Sequence, residues 1–359
     1  MKKLVFVQAG FGAGGAEKII NLIARHRHER GDEVTVLALY GSPEESYFPY
    51  PPGITLKTME GDGQRAKPGI RGALMQALWV RKQIKSIAPD AVLSFLTRVN
   101  VISSLAMQGM SIPLTVSERN NPNKQRNGRV WRTLIKRMFA RADHIVLQTK
   151  GSFELLEQDQ YAKATVIPNP CFIAGHRTSK KRDKKHIVAV GRLTAQKGFE
   201  VLIKAFAKVN AQHPDAKLTI WGEGEERENL TKQIEELGLS EVVSLPGNTE
   251  APMEWVKTAP TLVLSSHYEG FPNVLAEAMS AGMAVIATDC PWGPSDLVSD
   301  SVNGLLVPVG DSAALSRAIT RLLDKPELQT SFGREAAKTA SKFELETILN
   351  QWDQVLDRP

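Results

Sequence analysis

The sequence predicts an α/β protein with two doubly wound parallel sheets, one in each half of a 359-residue chain. Three observations predict it. Short apolar runs alternate with amphipathic helical stretches along the whole chain, as in parallel strands joined by helical crossovers. The series restarts after a polar, basic stretch at residues 174–186, Ala-Gly-His-Arg-Thr-Ser-Lys-Lys-Arg-Asp-Lys-Lys-His, which reads as an interdomain linker. Glycines also recur just past the ends of the apolar runs, where a strand must turn tightly into a helix.

The elements follow in order. Leu4–Ala9 reads as a strand, Ala16–Arg30 as a helix and Glu33–Leu39 as the next strand. A helix over roughly Gly72–Ile87 leads into strand Ala91–Phe95, and a helix from Val99 leads into strand Leu114–Ser117. A basic helix from Val130 follows, then short strands His144–Gln148 and Thr165–Ile167. The second series has strand His186–Val190, helix Phe199–His213, strand Lys217–Trp221 and a helix around Glu226–Leu237. Val242–Leu245, Thr261–Ser265, Val285–Thr288 and Leu305–Val307 read as further strands. The expected boundaries are a first domain over residues 1–173, a linker over 174–185 and a second domain over 186–342. Ligands of open α/β sheets bind beyond the carboxyl ends of the strands, so two domains facing each other would enclose two substrates in a cleft.

An apolar fraction of 42% and a charged fraction of 23% suit a soluble globular chain and argue against a disordered one. Cys171 and Cys290 stand far apart without metal-ligand spacing, which fits a reducing compartment and excludes a disulfide framework. No run approaches the roughly 18 apolar residues of a membrane span. The apolar run after Lys2 and Lys3 is short and passes into glycines, so a signal peptide is not expected. Residues 1–170 hold 24 Lys and Arg against 14 Asp and Glu, net +10, while the remainder is net −4. The basic stretch Lys124–Arg141 carries Trp131, Leu134, Ile135, Met138 and Phe139 at helical spacing between its cations. It is either a solvated helix face packed on the core or a dock for an anionic membrane surface. No nucleic-acid motif accompanies the charge, so nucleic acid is not an expected partner.

The most informative segment is Glu269-Gly-Phe-Pro-Asn-Val-Leu-Ala-Glu277. Gly270 and Pro272 mark a tight turn and a helix start, with Pro tolerated at the first helical position. Glu269 then lies in the strand-to-helix turn and Glu277 about one turn into a largely apolar helix. A carboxylate there needs a partner. Hydroxyl-rich ligands supply one, and a helix N-terminus favours phosphate. The alternative is an ordinary strand–turn–helix with a solvated Glu277. Gly191-Arg192-Leu-Thr-Ala-Gln-Lys197-Gly198 places two cations in one strand-to-helix loop, an anion clamp made of a guanidinium fork and a point charge. Gly10-Phe-Gly12-Ala-Gly14-Gly15 satisfies the dinucleotide spacing. The second strand, however, ends in Leu-Ala-Leu-Tyr-Gly41 without the carboxylate that reads a ribose. What remains is a glycine turn that lets backbone amides approach a ligand. Gly222-Glu-Gly224-Glu-Glu-Arg227 reads mainly as structural.

Taken together, these residues resemble glycosyltransferase family 4, of the GT-B fold, with its two Rossmann-like domains facing across a cleft. The resemblance rests on Gly14-Gly15-Ala16-Glu17, Ile167-Pro168-Asn169-Pro170, Gly191-Arg192-Leu193 with Lys197-Gly198, Gly222–Arg227, and Glu269 with Glu277. It implies a retaining sugar transfer from a nucleotide donor, with no cofactor and no metal, since no D-x-D occurs. Arg192, Lys197 and Glu269 would be the catalytic residues, the two cations holding the donor diphosphate. Glu269 with the amides of Gly270, Phe271 and Pro272, beside Asn273, would hold the sugar, and Glu277 the ribose. The backbone amides of Gly14 and Gly15 would approach the phosphate and the acceptor, and Gly247 and Asn248 the base. The last helix, Phe343–Leu356, would cross back onto the first domain. Many relatives carry a histidine where this chain has Arg119, within Ser117-Glu118-Arg119-Asn120. That form resembles enzymes that build bacterial surface polysaccharides on a polyprenyl-diphosphate lipid. Glu17, Glu118, Arg119 and Asn120 are the expected acceptor-binding residues, with a structural Glu118–Arg119 turn as the alternative. The resemblance thus implies a UDP-hexose or UDP-N-acetylhexosamine transferase, cytoplasmic and peripheral on the inner membrane face. The rivals are a sugar-nucleotide epimerase and a non-catalytic sugar-nucleotide-binding subunit.

Overall fold

A computed structural model of the chain describes residues 1–64, 69–119, 128–171, 182–249, 251 and 253–358. By its internal contacts the chain divides into two compact units, residues 1–168 with 348–359, and residues 169–347. The expected linker 174–185 lies outside the described residues up to position 181.

The first unit is built on β1 (Lys3–Gln8), β2 (Glu33–Ala38), β3 (Thr55–Thr58), β4 (Ala91–Phe95), β5 (Leu114–Ser117), β6 (His144–Leu147) and β7 (Ala164–Val166). They form one parallel sheet in the order β3-β2-β1-β4-β5-β6-β7. Its helices are α1 (Gly15–Glu29), α2 (Gly69–Ile87), α3 (Thr97–Ala106) and α4 (Arg129–Arg141). Strand order reverses after β3, so right-handed crossovers put α1 on one face and α2, α3 and α4 on the other. The central strands are buried on both faces; Val5, Phe6, Val7, Val36, Leu37, Val92 and Leu93 are wholly buried. Helix α3 packs against both α2 and α4. It starts directly after Leu96, whose φ of 74° and ψ of 142° lie in a region other residues leave to glycine.

The second unit holds β8 (His186–Val190), β9 (Lys217–Trp221), β10 (Val243–Gly247), β11 (Thr261–Leu264), β12 (Ala284–Thr288) and β13 (Leu305–Val307). They form a parallel sheet in the order β10-β9-β8-β11-β12-β13. Helices α5 (Phe199–Asn210), α6 (Arg227–Glu236) and α9 (Ser312–Asp324) pack around Phe206, Leu202 and Ile220 on one side. Helices α7 (Asn273–Ser280) and α10 (Pro326–Ala340) enclose Leu275, Met279 and Val285 on the other. The one-turn α8 (Pro294–Leu297) follows β12. Because the strands run parallel, the loops after β8, β9, β10 and β11 leave one edge of the sheet, and the candidate residues of this unit sit on them.

Helix α11 (Leu345–Leu356) ends the chain, and its residues from Ile348 onward belong to the first unit. There Trp352 is wholly buried and stacks on Phe95, ring centroids 5.5 Å apart. Asp353 accepts from Arg27 Nη1 at 2.8 Å, and the same guanidinium donates to Asp32 and Asp357 at 2.7 Å. The strand β3 and the helices α8, α9 and α10 were not expected. The Pro272 prediction is corrected: Pro272 caps α7 from outside, and the helix begins at Asn273.

Candidate functional site

The loops of the second unit are stitched together by their backbones. Gly191 N donates to Trp221 O at 2.9 Å, Leu193 N to Glu223 O at 2.9 Å, and Gly222 N to Gly247 O at 2.8 Å. This close approach demands glycine. At Gly222, with φ of 137°, a Cβ would fall on the Gly191 carbonyl oxygen. Beside the stitching lies a cavity of about 160 Å³ lined by Gly191, Arg192, Trp221, Gly222 and Asn248. Arg192 and Asn248 are exposed there. Gly247, with φ of 92°, is buried. The Gly222–Arg227 turn is closed by an ion pair of Arg227 with Glu223, whose carboxyl that guanidinium holds below its ordinary value.

Lys197 and Glu269 meet. Lys197 Nζ donates to Glu269 Oε1 at 2.7 Å, and their side chains are only 15% and 6% exposed. The stem of Lys197 runs over Gly191, where a Cβ would lie 3.1 Å from its Cε. Ser266 Oγ donates to the same Glu269 oxygen at 2.6 Å, and Ser265 Oγ to Lys197 O at 2.9 Å. Gly198 adopts φ of 60°, which lets the loop lie against the Ser265 carbonyl. Gln196 bridges the loops twice, through its carbonyl to His267 N at 2.8 Å and through Nε2 to Tyr268 O at 3.0 Å. Behind the pair is Cys290. Burial, then the negative charge of Glu269, pushes its thiol up to about 12. The expected anion clamp is thus asymmetric: Arg192 reaches solvent, while Lys197 is held by a carboxylate.

The loop past Glu269 is packed. Phe271 is 8% exposed and meets Phe343 edge-to-face, centroids 6.1 Å apart. Pro272 is buried, and Gly270 O and Pro272 Cδ would both lie within 3 Å of a Cβ at Gly293. Asn273 is exposed at the start of α7 and accepts from Asn169 Nδ2 at 2.8 Å. Glu277 is half-buried one turn further on. Its charge, after burial, helps raise the Cys171 thiol to about 11. The structure therefore brings Lys197, Glu269 and the Gly270–Asn273 turn onto one sheet edge, with Arg192, Gly247 and Asn248 on the adjoining loops.

In the first unit Gly14 and Gly15 are exposed at the start of α1, and the Glu17 carboxylate folds back over Gly14. Burial raises the Glu17 carboxyl above its ordinary value. Glu118 is buried; its Oε1 accepts from Thr97 Oγ1 and from Arg119 N, each at 3.0 Å. Arg119 is 8% exposed. Its Nε donates to Ser117 Oγ at 2.8 Å, and its guanidinium lies 4.8 Å from the Phe95 ring centre and 5.4 Å from that of Trp352. Burial lowers its proton affinity, and Glu118 opposes the shift. Asn120 lies outside the described residues. Sequence reasoning missed Ser266, Gln196, Cys290, Phe95 and Trp352. Only Ser266, two residues past β11, carried a local signal.

Two family models match the chain: glycosyltransferase family 4 over residues 13–171, and glycosyl transferases group 1 over residues 175–339. The chain is 27% identical, over 99% of its length, to an exopolysaccharide phosphotransferase of Streptomyces coelicolor, and it spans 40% of that protein. It is 30% identical to the Campylobacter jejuni N-acetylgalactosamine-N,N'-diacetylbacillosaminyl-diphospho-undecaprenol 4-alpha-N-acetylgalactosaminyltransferase, over 75% of this chain and 76% of that one. Among solved structures, Anabaena HepE in complex with UDP and glucose superposes with a TM-score of 0.79 at 21% identity, over 99% of this chain and all of that one. The two sheets, the glycine-stitched loops and the match along almost the whole sequence make this chain a member of glycosyltransferase family 4, with the GT-B fold.

Proposed function

We propose that the protein is a retaining transferase that moves a hexose or N-acetylhexosamine from a UDP-sugar to a lipid-linked or polysaccharide acceptor in bacterial surface-glycan synthesis. The observation that carries this reading is the Lys197–Glu269 pair at 2.7 Å on the carboxyl edge of the second sheet. It sets a cation suited to a diphosphate beside a carboxylate suited to sugar hydroxyls. The names of the Campylobacter relative, which builds on a diphospho-undecaprenol, and of the UDP complex of HepE support the choice of acceptor and donor.

In this reading Arg192 and Lys197 hold the diphosphate. The Gly270–Pro272 turn and Glu269 hold the sugar, and Glu277 the ribose. Gly247 and Asn248 border the base, and Gly14 and Gly15 approach the phosphate. The acceptor oxygen forms its bond to the anomeric carbon on the face from which the phosphate oxygen leaves. The acceptor proton passes to that phosphate oxygen, and the two cations stabilise the charge left on UDP. No metal is required. Glu17, Glu118, Arg119 and Asn120 belong to the acceptor side, with Arg119 acting from its buried position through Ser117 and Glu118. The test is calorimetry with UDP: Arg192→Ala lowers affinity about tenfold or more, the worth of a charge-assisted hydrogen bond. Unchanged affinity would remove the diphosphate from this edge.

A further inference from the structure

The loops that follow β2 and β3 enclose a cavity of about 470 Å³, a size that holds a small ligand. It lies at the carboxyl edge of the first sheet, the edge at which parallel sheets bind their ligands. Its walls include Ser42, Glu44, Lys57, Thr58, Glu60 and Asp62. Two of these are held in place by buried side chains of α2. Trp79 Nε1 donates to Asp62 Oδ2 at 2.7 Å and Gln83 Nε2 donates to the same oxygen at 2.8 Å. Lys57 Nζ donates to Gln83 Oε1 at 3.3 Å. Trp79 and Gln83 are themselves 2% and 7% exposed. Gln83 thus sets a cation and a carboxylate on one frame. Both bonds to Asp62 fall on Oδ2, leaving Oδ1 to accept from a ligand.

The charge around this cavity runs against that of its unit. Residues 1–170 are net +10, yet residues 40–62 hold Glu44, Glu45, Glu60 and Asp62 against Lys57 alone. Phosphates and uronic acids are repelled by such a wall. Among the described residues no group of three or more His, Cys, Asp or Glu is placed to hold a metal ion. A neutral group that both donates and accepts suits the walls, since carboxylates take hydroxyl protons and the Lys57 ammonium gives its own to hydroxyl oxygens. Pyranose rings carry such hydroxyls side by side. They also present C–H faces, and the loop between β2 and β3 exposes aromatic rings to meet them: Tyr47 is 67% exposed and Tyr40 36%. That loop is pinned to the glycine turn of the first unit, Tyr40 N donating to Ala9 O at 2.9 Å and Tyr47 N to Phe11 O at 3.0 Å.

We propose that this cavity is a saccharide subsite that holds uncharged sugar units of a glycan chain, behind the unit that reacts. Asp62 and Glu60 accept from the ring hydroxyls, and Lys57 donates to them. The acceptor would then be selected by the sugars behind its reacting end, and acidic chains refused. Use of the subsite for an acceptor rests on the transferase reading above, whereas saccharide binding here needs neither donor nor transfer.

The test follows the Trp79 indole N–H of the full chain by NMR, its resonance assigned among the six tryptophans with Trp79→Phe. The probes are mono- to tetrasaccharides of glucose, galactose and N-acetylglucosamine, with tetragalacturonate as the acidic control. A neutral tetrasaccharide shifts the Trp79 resonance saturably and binds about tenfold or more tighter than its monosaccharide, while tetragalacturonate leaves the resonance in place. By calorimetry Glu60→Gln weakens that tetrasaccharide about threefold or more, and Asp62→Asn about tenfold or more, as the loss of a charged hydrogen bond requires. Glu60 is exposed, so Glu60→Gln keeps the parent's melting temperature even where Asp62→Asn loosens the loop. Both variants keep the parent's UDP affinity, which separates loss of this subsite from loss of the donor site. A parent that binds the tetrasaccharide but not UDP supports the subsite and removes the transferase reading. Four results would each overturn the proposal: no neutral saccharide moves the Trp79 resonance, a monosaccharide binds as tightly as its tetramer, tetragalacturonate binds equally well, or both substitutions leave the affinity unchanged.

Discussion

The Lys197–Glu269 pair offers the sharpest test of the site. Consider Lys197→Met, which keeps the length of the stem over Gly191 and removes the charge. Glu269 is then left 6% exposed with the Ser266 hydroxyl still donating to it. Removing one partner of a buried pair costs about 3–5 kcal/mol; the 15% exposure of Lys197 and the remaining hydroxyl put this case near the lower end, about 3 kcal/mol. For a unit of this size that lowers the melting temperature by about 6–12 °C. Glu269→Gln, which leaves the more accessible member behind, costs less, about 1–2 kcal/mol. The double variant costs less than the two singles together, with a coupling of about 2 kcal/mol. Chemical denaturation of the four ligand-free proteins measures this cycle, and a coupling below about 0.5 kcal/mol refutes a buried pair. The same proteins then separate the two roles. Lys197→Met binds UDP about tenfold or more weakly, since it loses a charged hydrogen-bond donor. Glu269→Gln binds UDP within about threefold of the parent, because its carboxylate is assigned to the sugar and not to the diphosphate. If Glu269→Gln loses UDP as severely as Lys197→Met, the carboxylate serves only to position the lysine, and the sugar assignment falls.

Arg119→Met removes the Nε bond to Ser117 and the charge beside Phe95 and Trp352; the first unit loses about 2–4 kcal/mol, read by denaturation, whatever the acceptor. Burial holds the Cys171 and Cys290 thiols at about 11 and about 12, so the folded protein keeps protons that the unfolded chain releases from about pH 8.5 upward. Stability contributed by these thiols is therefore complete below that pH and lost as pH rises toward the folded values. Denaturation curves at pH 8 and pH 10 check the sign, and a disulfide-exchange reagent at pH 8 titrates the two thiols only after unfolding.

What could be read from the sequence was local. A strand followed by glycine and a helix is written in adjacent residues, so β1, β8, β9 and β11 and their loops were legible, and with them Arg192, Lys197, Glu269 and Glu277. Strand β3 was not: Thr55-Leu56-Lys57-Thr58 is four residues long, with only Thr58 fully buried, at the sheet edge, too short for an alternation to stand out. The ion pair was illegible for a different reason. Lys197 and Glu269 are 72 positions apart, and they meet because β8 and β11 pair in a register that joins Ile187 to Thr261 and Val188 to Leu262. Arg119 depends on a partner more distant still, since Trp352 arrives from the last helix. Its residue type suggested an acceptor-binding cation. Its burial follows from aromatic neighbours that no local pattern announces.

The pairing bears on how a donor would be taken up. In the ligand-free protein the cation is already desolvated and aimed, and its partner is the group assigned to the sugar. A diphosphate drawing on Lys197 weakens the bond that satisfies Glu269, leaving a buried carboxylate short of a donor. Sugar hydroxyls can restore what the lysine withdraws, and Ser266 keeps the carboxylate oriented meanwhile. The two halves of a nucleotide sugar would then be linked through one hydrogen bond, so that the diphosphate is held best when the sugar is present to replace the lysine on Glu269. An arginine in place of Lys197 would carry a planar fork over Gly191, where the lysine stem lies 3.1 Å from a Cβ position, so the single movable charge of the lysine is the one that would suit such an exchange.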